Sequence, residues 1–446
     1  MNGSLAKAWV SLGVVALLAS GLLAILVTGA KMPGVKHLAD VEFIRWCLVV
    51  HVNLATLVWF TALPVGLLHL STKVRGTFST QLSWAGFLLA LIGMLLLFSV
   101  PPQEGVRPIL SNYIPVLSHP RYSIGIAVYL AGIALGLLSP KFFVDSFSIA
   151  KRWPGLLEIR FGLFVGSTFI GLAIVTLALA FKDLASVPLI SEFRFFELGM
   201  WGGGHLIQHA SAVFTVCAWV LFLSRRVDQP ILSRSELFVV FGWIGLPIFF
   251  VPVILFFDVT GGDYRQGFTW LMQWGIAPPI VFFLGRALWR LSPRLSDLKN
   301  HEIVAFFLSA SLLLMGFVFG AFIRGPDMRV PGHYHASIGA VTLAFMALGY
   351  LLLADRAESR WMLKSMWFYG VGQAVFAGGM FLAGSFGMPR KTYGAEHVFT
   401  HWGQGLGVAV MAIGGMGALI GGILFAVAII PRLKSTAPLA GKVAHV

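Results

Sequence analysis

The chain has 446 residues, of which 58% are hydrophobic and only 11% are charged. This composition and a mean hydropathy of +0.86 exclude an ordinary water-soluble domain and are typical of an integral membrane protein. The net charge of +14 does not indicate nucleic-acid binding, because the basic residues are spread over the predicted loops and form no basic block.

Twelve apolar runs are each long enough to cross a hydrocarbon core of about 30 Å as an α-helix. The first run is too long for a signal peptide and is not followed by a small-residue cleavage site, so we expect a retained helix. No linker or low-complexity stretch divides the chain, which predicts one transmembrane domain over residues 1–446. The predicted helices lie near residues 8–30, 41–70, 82–100, 122–139, 158–181, 201–224, 236–257, 267–290, 302–323, 332–353, 362–385 and 401–430.

The Lys and Arg residues predict how the chain is oriented in the membrane. Of the 32, 20 fall on the side that holds both termini and 12 on the opposite side, called the outer side below. Because cytoplasmic loops carry the excess of Lys and Arg, we expect both termini in the cytoplasm and a bacterial cytoplasmic membrane as the location.

The histidines are concentrated toward the outer side, where nine of the twelve lie. Those in the first halves of helices 2, 6, 10 and 12 would form one layer, which a random scatter would not produce. This layer predicts a shared cofactor level in the outer half of the membrane. Its members are His51, His205, His209, His333, His335 and His401.

His333 and His335 open the tenth predicted helix. Residues two apart on a helix point about 200° apart, so the two imidazoles cannot easily serve one metal ion. Each could instead hold its own planar cofactor on opposite flanks of the helix. Polar side chains at membrane depth need partners, and we therefore interpret this helix as standing between two haems.

Three segments together carry a resemblance to a known family: His51–Trp59, Trp201–His209 and Gly332–His335. In this order and at these spacings they resemble the catalytic subunit I of the haem–copper oxidase superfamily, with most similarity to its nitric oxide reductase and cbb-type oxidase branches. The resemblance covers essentially the whole chain. It implies an all-α integral membrane bundle of about twelve transmembrane helices, like subunit I of that superfamily.

The resemblance also implies two haem b groups. A low-spin haem would be held between His51 and His335, and a high-spin haem with an open coordination position would be held by His333. The alternative for each residue is a structural histidine that is hydrogen-bonded to a neighbouring helix.

The sequence differs from the family in the residues that would bind a second metal. The family places a metal ligand at the position of His205, but the two adjacent histidines that normally complete the site have no counterpart in residues 254–263. His209 follows His205 by four residues and shares its helix face, and Asp258 could add a carboxylate, a set that suits iron better than copper. The alternative is that His209 only hydrogen-bonds and that no second metal exists.

Arginines on the outer side are candidates for pairing with haem propionates, since a guanidinium fork suits a carboxylate. These are Arg265, Arg324 and Arg329. The only cysteines, Cys47 and Cys217, fall inside predicted helices, and no CxxCH motif or dinuclear copper motif occurs. We therefore expect electrons to arrive from a partner subunit, either a c-type cytochrome or a cupredoxin-like protein, on the outer face.

The sequence is consistent with two different functions. The first is a respiratory terminal oxidoreductase, similar to cytochrome c oxidase or nitric oxide reductase, that reduces a small gas (O2 or NO) with His333, His205 and His209 as its catalytic candidates. The second is a non-catalytic membrane electron carrier or haem-based gas sensor that kept two haems and lost the second metal. A transporter would leave the histidine layer unexplained.

Overall fold

The computed structural model describes residues 2–30, 40–71, 77–138, 158–227, 230–292, 299–353, 360–392 and 398–433. Within these residues twelve helices are long and apolar enough to cross a membrane, which confirms the predicted all-α bundle. Helices suit such runs because every backbone N–H and C=O is bonded inside the segment and none faces hydrocarbon. They are α1 (Gly3–Gly29), α2 (Val41–Ser71), α3 (Thr77–Phe98), α4 (Pro120–Leu137), α5 (Arg160–Leu184), α6 (Glu192–Val227), α7 (Arg234–Ile254), α8 (Gly262–Leu291), α9 (His301–Ala321), α10 (Arg329–Leu353), α11 (Arg360–Ser385) and α12 (Trp402–Leu433).

The described residues form two units. The first holds the start of α1, most of α2 and helices α3 to α8, and the second holds the rest of α1, the start of α2 and helices α9 to α12. In the first unit α6 is the most thoroughly buried helix, and in the second unit α10 is. The two most buried helices are therefore the ones that carry His205 and His209, and His333 and His335.

Glycines allow pairs of helices to approach closely within each unit. In the first unit a Cβ atom on Gly93 of α3 would run into the backbone of Tyr129 on α4. In the second unit a Cβ atom on Gly372 of α11 would run into the backbone of Ala418 on α12. Close backbone packing of this kind replaces the hydrophobic driving force that two helices lack in lipid.

In the second unit α10 is tied to its neighbours on both sides. The Ser309 hydroxyl on α9 donates to the Ala340 carbonyl oxygen over 2.7 Å. From α11, the side-chain amide of Gln373 donates to the carbonyl oxygen of His335 over 2.9 Å. These bonds to backbone oxygens fix the level of α10 between α9 and α11, and with it the positions of its two histidines.

In the first unit a short hairpin packs against α4 and α6. Strands β1 (Pro108–Ile109) and β2 (Val116–Leu117) pair antiparallel between α3 and α4. Helix α2 contains a π-helical segment, Asn53–Trp59, whose first residue donates from its side chain to the Pro115 carbonyl oxygen (2.7 Å) and to the Tyr122 hydroxyl (3.0 Å). The tip of the hairpin is thereby anchored to α2.

Candidate functional site

His51 lies near the end of the first α-helical part of α2, and its ring is held by α1. The Nδ1 atom lies 2.9 Å from the carbonyl oxygen of Ser20 and 2.8 Å from the Ser20 hydroxyl, which also donates to the His51 carbonyl. A carbonyl oxygen can only accept, so Nδ1 carries the proton and Nε2 of the neutral ring keeps a lone pair. This is the arrangement found at histidines that bind metals through Nε2.

His333 is held in the same way by α9. Its Nδ1 atom donates to the carbonyl oxygen of Gly316 over 2.7 Å, which again leaves the lone pair on Nε2. One turn further along α9, a Cβ atom on Gly320 would lie 2.9 Å from Nδ1 and 3.0 Å from Cε1 of the same ring. A glycine at that position makes room for the imidazole.

His335 contacts a different neighbour. Its ring centroid lies 5.1 Å from that of Phe376 on α11, with the two planes nearly perpendicular. The ring of Tyr334, the preceding residue, has its centroid 5.4 Å from that of His335. His333 therefore packs toward α9 and His335 toward α11, as the angular separation of two positions on one helix predicts.

The three rings fit the haem groups that the sequence predicts. His51, His333 and His335 are each partly exposed, although α2 and α10 are among the most buried helices. For His51 and His333, every hydrogen bond that the ring makes with the described residues uses Nδ1, so Nε2 is the nitrogen available to an iron.

His205 differs from these three because both of its nitrogens are engaged by protein and the residue is fully buried. Nδ1 donates to the carbonyl oxygen of Trp201 over 2.8 Å. Nε2 therefore keeps the lone pair, and it accepts a hydrogen bond from the Tyr113 hydroxyl over 2.9 Å. The nitrogen that a metal would use is occupied by a phenol.

Tyr113 lies at the tip of the hairpin in a left-handed backbone conformation, with φ of +67°. Few bulky residues adopt it, because the Cβ atom crowds the backbone there. Burial raises the pKa of the Tyr113 hydroxyl, and the nearby Glu197 carboxylate raises it further, so the group stays protonated and can donate.

His209 is also fully buried, and each of its ring nitrogens lies near a carbonyl oxygen. Nδ1 lies 3.2 Å from the His205 carbonyl oxygen, and Nε2 lies 3.2 Å from the Leu271 carbonyl oxygen on α8. A neutral imidazole has one N–H and can donate to only one of these two oxygens. A Cβ atom on Gly275 would lie 2.9 Å from Nε2, so the ring is closely enclosed.

Asp258 is not brought into this environment. The residue is exposed, and its two carboxylate oxygens accept from the backbone N–H (2.9 Å) and the hydroxyl (2.8 Å) of Thr260. These bonds lower the pKa of the Asp258 carboxyl below its usual range. Across the described ranges, no group of three or more His, Cys, Asp or Glu residues is arranged to hold a metal ion.

The second metal that the sequence leaves open therefore does not fit the side chains present. A metal needs donor atoms with free lone pairs. Nε2 of His205 accepts from Tyr113, and both nitrogens of His209 face carbonyl oxygens.

The three arginines predicted as propionate partners have different surroundings. Arg265 and Arg324 are exposed, and their guanidinium groups lie near backbone carbonyl oxygens of their own helix ends. Arg329 forms a forked pair with Asp327, with its Nη2 atom 2.6 Å from Oδ2. A propionate would have to share Arg329 with that carboxylate.

Comparison with solved structures places this arrangement in a known fold. A haem–copper terminal oxidase solved as a dimer by cryo-electron microscopy superposes with a TM-score of 0.71 over 97% of this chain and 84% of the oxidase chain. The chain has the haem–copper terminal oxidase fold. The sequences are 17% identical, so the likeness concerns the fold alone. Together with the twelve spans, it makes the chain an integral membrane protein.

Two relatives can be aligned with this sequence over most of its length. An uncharacterized protein of Rickettsia prowazekii (strain Madrid E) is 23% identical, covering 95% of both chains. An uncharacterized protein of Aquifex aeolicus (strain VF5) is 26% identical, covering 78% of this chain and 84% of its own. No family model matches the sequence.

Two residues of the site were not anticipated from the sequence. Ser20 is one of several small residues in α1, and nothing in the local pattern points to His51, 31 positions away. Tyr113 lies in a loop 92 positions before His205, with no motif around it. The positive φ of Tyr113 is seen only in the structure and could not be predicted from the residues around it.

Proposed function

We propose that the chain is a haem-binding membrane oxidoreductase subunit. In this proposal a low-spin haem b is held by His51 and His335, and a high-spin haem b is held by His333. The observation that supports it best is the shared geometry of His51 and His333, in which Nδ1 donates to a backbone carbonyl of a neighbouring helix and Nε2 is left for iron. The fold of a haem–copper terminal oxidase supports it as well.

The residues of the chain position and tune the two groups. Ser20 fixes the ring plane and tautomer of His51, and the Gly316 carbonyl does the same for His333. A donor bond from Nδ1 also raises the basicity of Nε2, which strengthens an axial ligand. The packing of His333 toward α9 and of His335 toward α11 separates the two ligands on α10, so that each serves its own group.

Bound haem would supply one-electron transfer and, at the iron held by His333, an open position for O2 or NO. Because the residues around His205 and His209 do not fit a second metal, we propose that gas chemistry in this chain involves one haem iron. We also propose that the chain is most similar to the nitric oxide reductase and cbb-type oxidase branches of the superfamily, and that the gas is O2 or NO.

The same observation favours a second candidate function. Because Nε2 of His205 accepts from Tyr113 and the His209 ring is enclosed between carbonyl oxygens, the chain could serve as a membrane electron carrier or haem-based gas sensor that retains two haems. The two functions differ in turnover, since only the oxidoreductase consumes gas when electrons are supplied.

We further propose a setting for this activity. Both termini would face the cytoplasm of a bacterium, because Lys and Arg are more numerous on that side. Electrons would enter on the outer face from a c-type cytochrome or cupredoxin-like partner subunit, because the chain has no haem c or dinuclear copper motif of its own.

Haem analysis of the full-length protein, purified in detergent, tests the proposal. We expect two haem b per chain, one six-coordinate and one that binds CO. His51→Ala and His335→Ala should each remove the low-spin spectrum and keep CO binding, whereas His333→Ala should remove CO binding. His119→Ala is a matched control, since that residue is half-exposed at the start of α4, where its ring accepts from the Arg121 backbone N–H, and its loss should leave both spectra unchanged.

Two results would reverse or reject the assignment. Loss of the CO-binding haem in His335→Ala, with the low-spin haem kept, would exchange the roles of the two α10 histidines. Purified protein without haem, or haem retained in all three alanine variants, would reject the proposed function. Gas consumption with an added electron donor then separates the oxidoreductase from the carrier or sensor.

A further inference from the structure

The contact between Tyr113 and His205 has a defined direction. The carbonyl oxygen of Trp201 accepts from Nδ1 of His205, so the lone pair of this imidazole lies on Nε2. The Tyr113 hydroxyl, 2.9 Å away, must then be the donor. The phenol O–H is directed at the lone pair that a metal ion would have to use.

The position of Tyr113 is built by the surrounding structure and is not a loose contact of a loop. Its residue has a φ of +67°, a conformation that persists only where neighbouring contacts impose it. The preceding residue, Asn112, donates from its backbone to the Glu197 carboxylate over 2.7 Å and also from its side chain. Ser111 closes the tip by donating to the Ile114 carbonyl oxygen over 2.8 Å.

The anchor of the tip belongs to the same helix as the histidine. Glu197 lies eight residues before His205 on α6, about two turns away, so one helix presents both the carboxylate and the imidazole to the tip. A Cβ atom on Gly204 would run into the ring of Tyr113, so this glycine provides the room in which the phenol lies. The hairpin tip therefore contacts α6 at three residues, Glu197, Gly204 and His205.

Aromatic rings enclose the rest of the pair. Trp201 and Phe268 have ring centroids 5.0 Å and 6.2 Å from that of His205, and Trp201 also meets the Tyr113 ring edge-on at 5.7 Å. These rings offer no lone pair to a cation. Among the described residues, the side chains in contact with the His205 ring thus offer a phenol O–H and aromatic carbon, which suit a hydrogen bond and do not suit a metal.

We propose that Tyr113 occupies the coordination position of His205, so that this chain has a phenol–imidazole pair at the point on α6 where a metal ligand was expected. The hairpin acts as a fixed cap that holds the phenol against the ring. This inference rests on the proposed function only in its consequence, which is that one haem iron, and no second metal, is present to bind a gas.

The test uses the full-length protein with its haems and combines two measurements. Metal analysis is made after incubation with Fe(II) or Cu(II) and desalting, in wild type and His205→Ala. Infrared spectra of protein labelled with ring-deuterated tyrosine are compared for wild type, Tyr113→Phe and His205→Ala. Tyr129→Phe is the matched control, because that buried tyrosine bonds to Thr61 instead of a histidine.

We expect the same metal content in wild type and His205→Ala, all of it accounted for by haem iron. The tyrosine band that is lost in Tyr113→Phe should shift in His205→Ala, and the band lost in Tyr129→Phe should not. A non-haem ion in wild type that is lost in His205→Ala would overturn the proposal. A Tyr113 band that is indifferent to His205→Ala would overturn it as well. Haem content is measured separately, so failure of the proposed function would be recognised independently.

Discussion

The Nδ1–H group of His333 donates to the carbonyl oxygen of Gly316 over 2.7 Å, and this one bond fixes which ring nitrogen can bind iron. Gly320, one turn later on α9, leaves the space that the same ring fills. Helix α9 thus positions the candidate ligand of the high-spin haem through a backbone oxygen and a missing side chain.

Gly320→Ala should weaken the CO-binding haem and spare the low-spin haem. The added methyl group would lie 2.9 Å from Nδ1 of His333, closer than real Cβ contacts allow, so the ring must turn away from its ligand position. The measurement is the CO difference spectrum per chain. Gly378→Ala is the control, because a Cβ there meets only Met315 at 3.8 Å and should leave both haems intact.

Ser20→Ala should lower the melting temperature and keep the low-spin haem. The serine hydroxyl bonds to Nδ1 and to the carbonyl oxygen of His51, whereas the Ser20 carbonyl, which remains in the variant, still accepts from Nδ1. A buried hydrogen bond contributes about 0.5–1.5 kcal/mol, so the free energy of unfolding should fall by about that amount. Ser385→Ala, which loses only an exposed bond within α11, should change it less.

Glu197→Ala should release the hairpin tip. The carboxylate accepts from both the backbone and the side chain of Asn112, and bonds to a charged group contribute about 1.5–3 kcal/mol each. We expect faster proteolysis between residues 99 and 119 and a lower melting temperature. Glu104→Ala, an exposed change in the same loop, is the control. Equal protease resistance of the two variants would show that Glu197 is not the anchor.

Asp327→Asn should lower stability at neutral pH and have little effect in acid. Burial would raise the pKa of Asp327, but the hydrogen bonds and charge of Arg329, helped by Arg390, outweigh it and hold the pKa below its usual range. A lowered folded-state pKa contributes stability above the unfolded value, about 3.9 for Asp, and that contribution is lost as pH falls through the folded value. The difference in melting temperature between variant and wild type should therefore shrink below about pH 4.

Features set within one helix were predictable from the sequence, whereas contacts between distant residues were not. The number and approximate positions of the helices were predictable, because each apolar run must satisfy its own backbone in lipid whatever it packs against. The exact ends were not, and α6 begins at Glu192 where the apolar run predicted a start near residue 201. The opposed directions of the His333 and His335 side chains were also predictable, since helical geometry sets the angle between two positions on one helix.

The ligand assignments themselves stay predictions. The sequence nominates His51, His333 and His335, and the structure shows rings that fit, with the available nitrogen defined for His51 and His333. For His205 and His209 the sequence left a metal site and a hydrogen-bonded pair as alternatives. The sequence could not decide between these alternatives, because it does not show which atoms surround the ring nitrogens of a histidine.

Only the tertiary structure shows what surrounds each imidazole. Ser20 meets His51, Gly316 meets His333 and Tyr113 meets His205 across 31, 17 and 92 residues of chain. Such contacts depend on how helices and the hairpin pack, and no periodicity in the sequence encodes them. Hydropathy determined by itself that this is a twelve-span membrane protein. Packing decided which ring nitrogens of His51, His333 and His205 are engaged by protein, because a hydrogen-bond partner is chosen by distance in space.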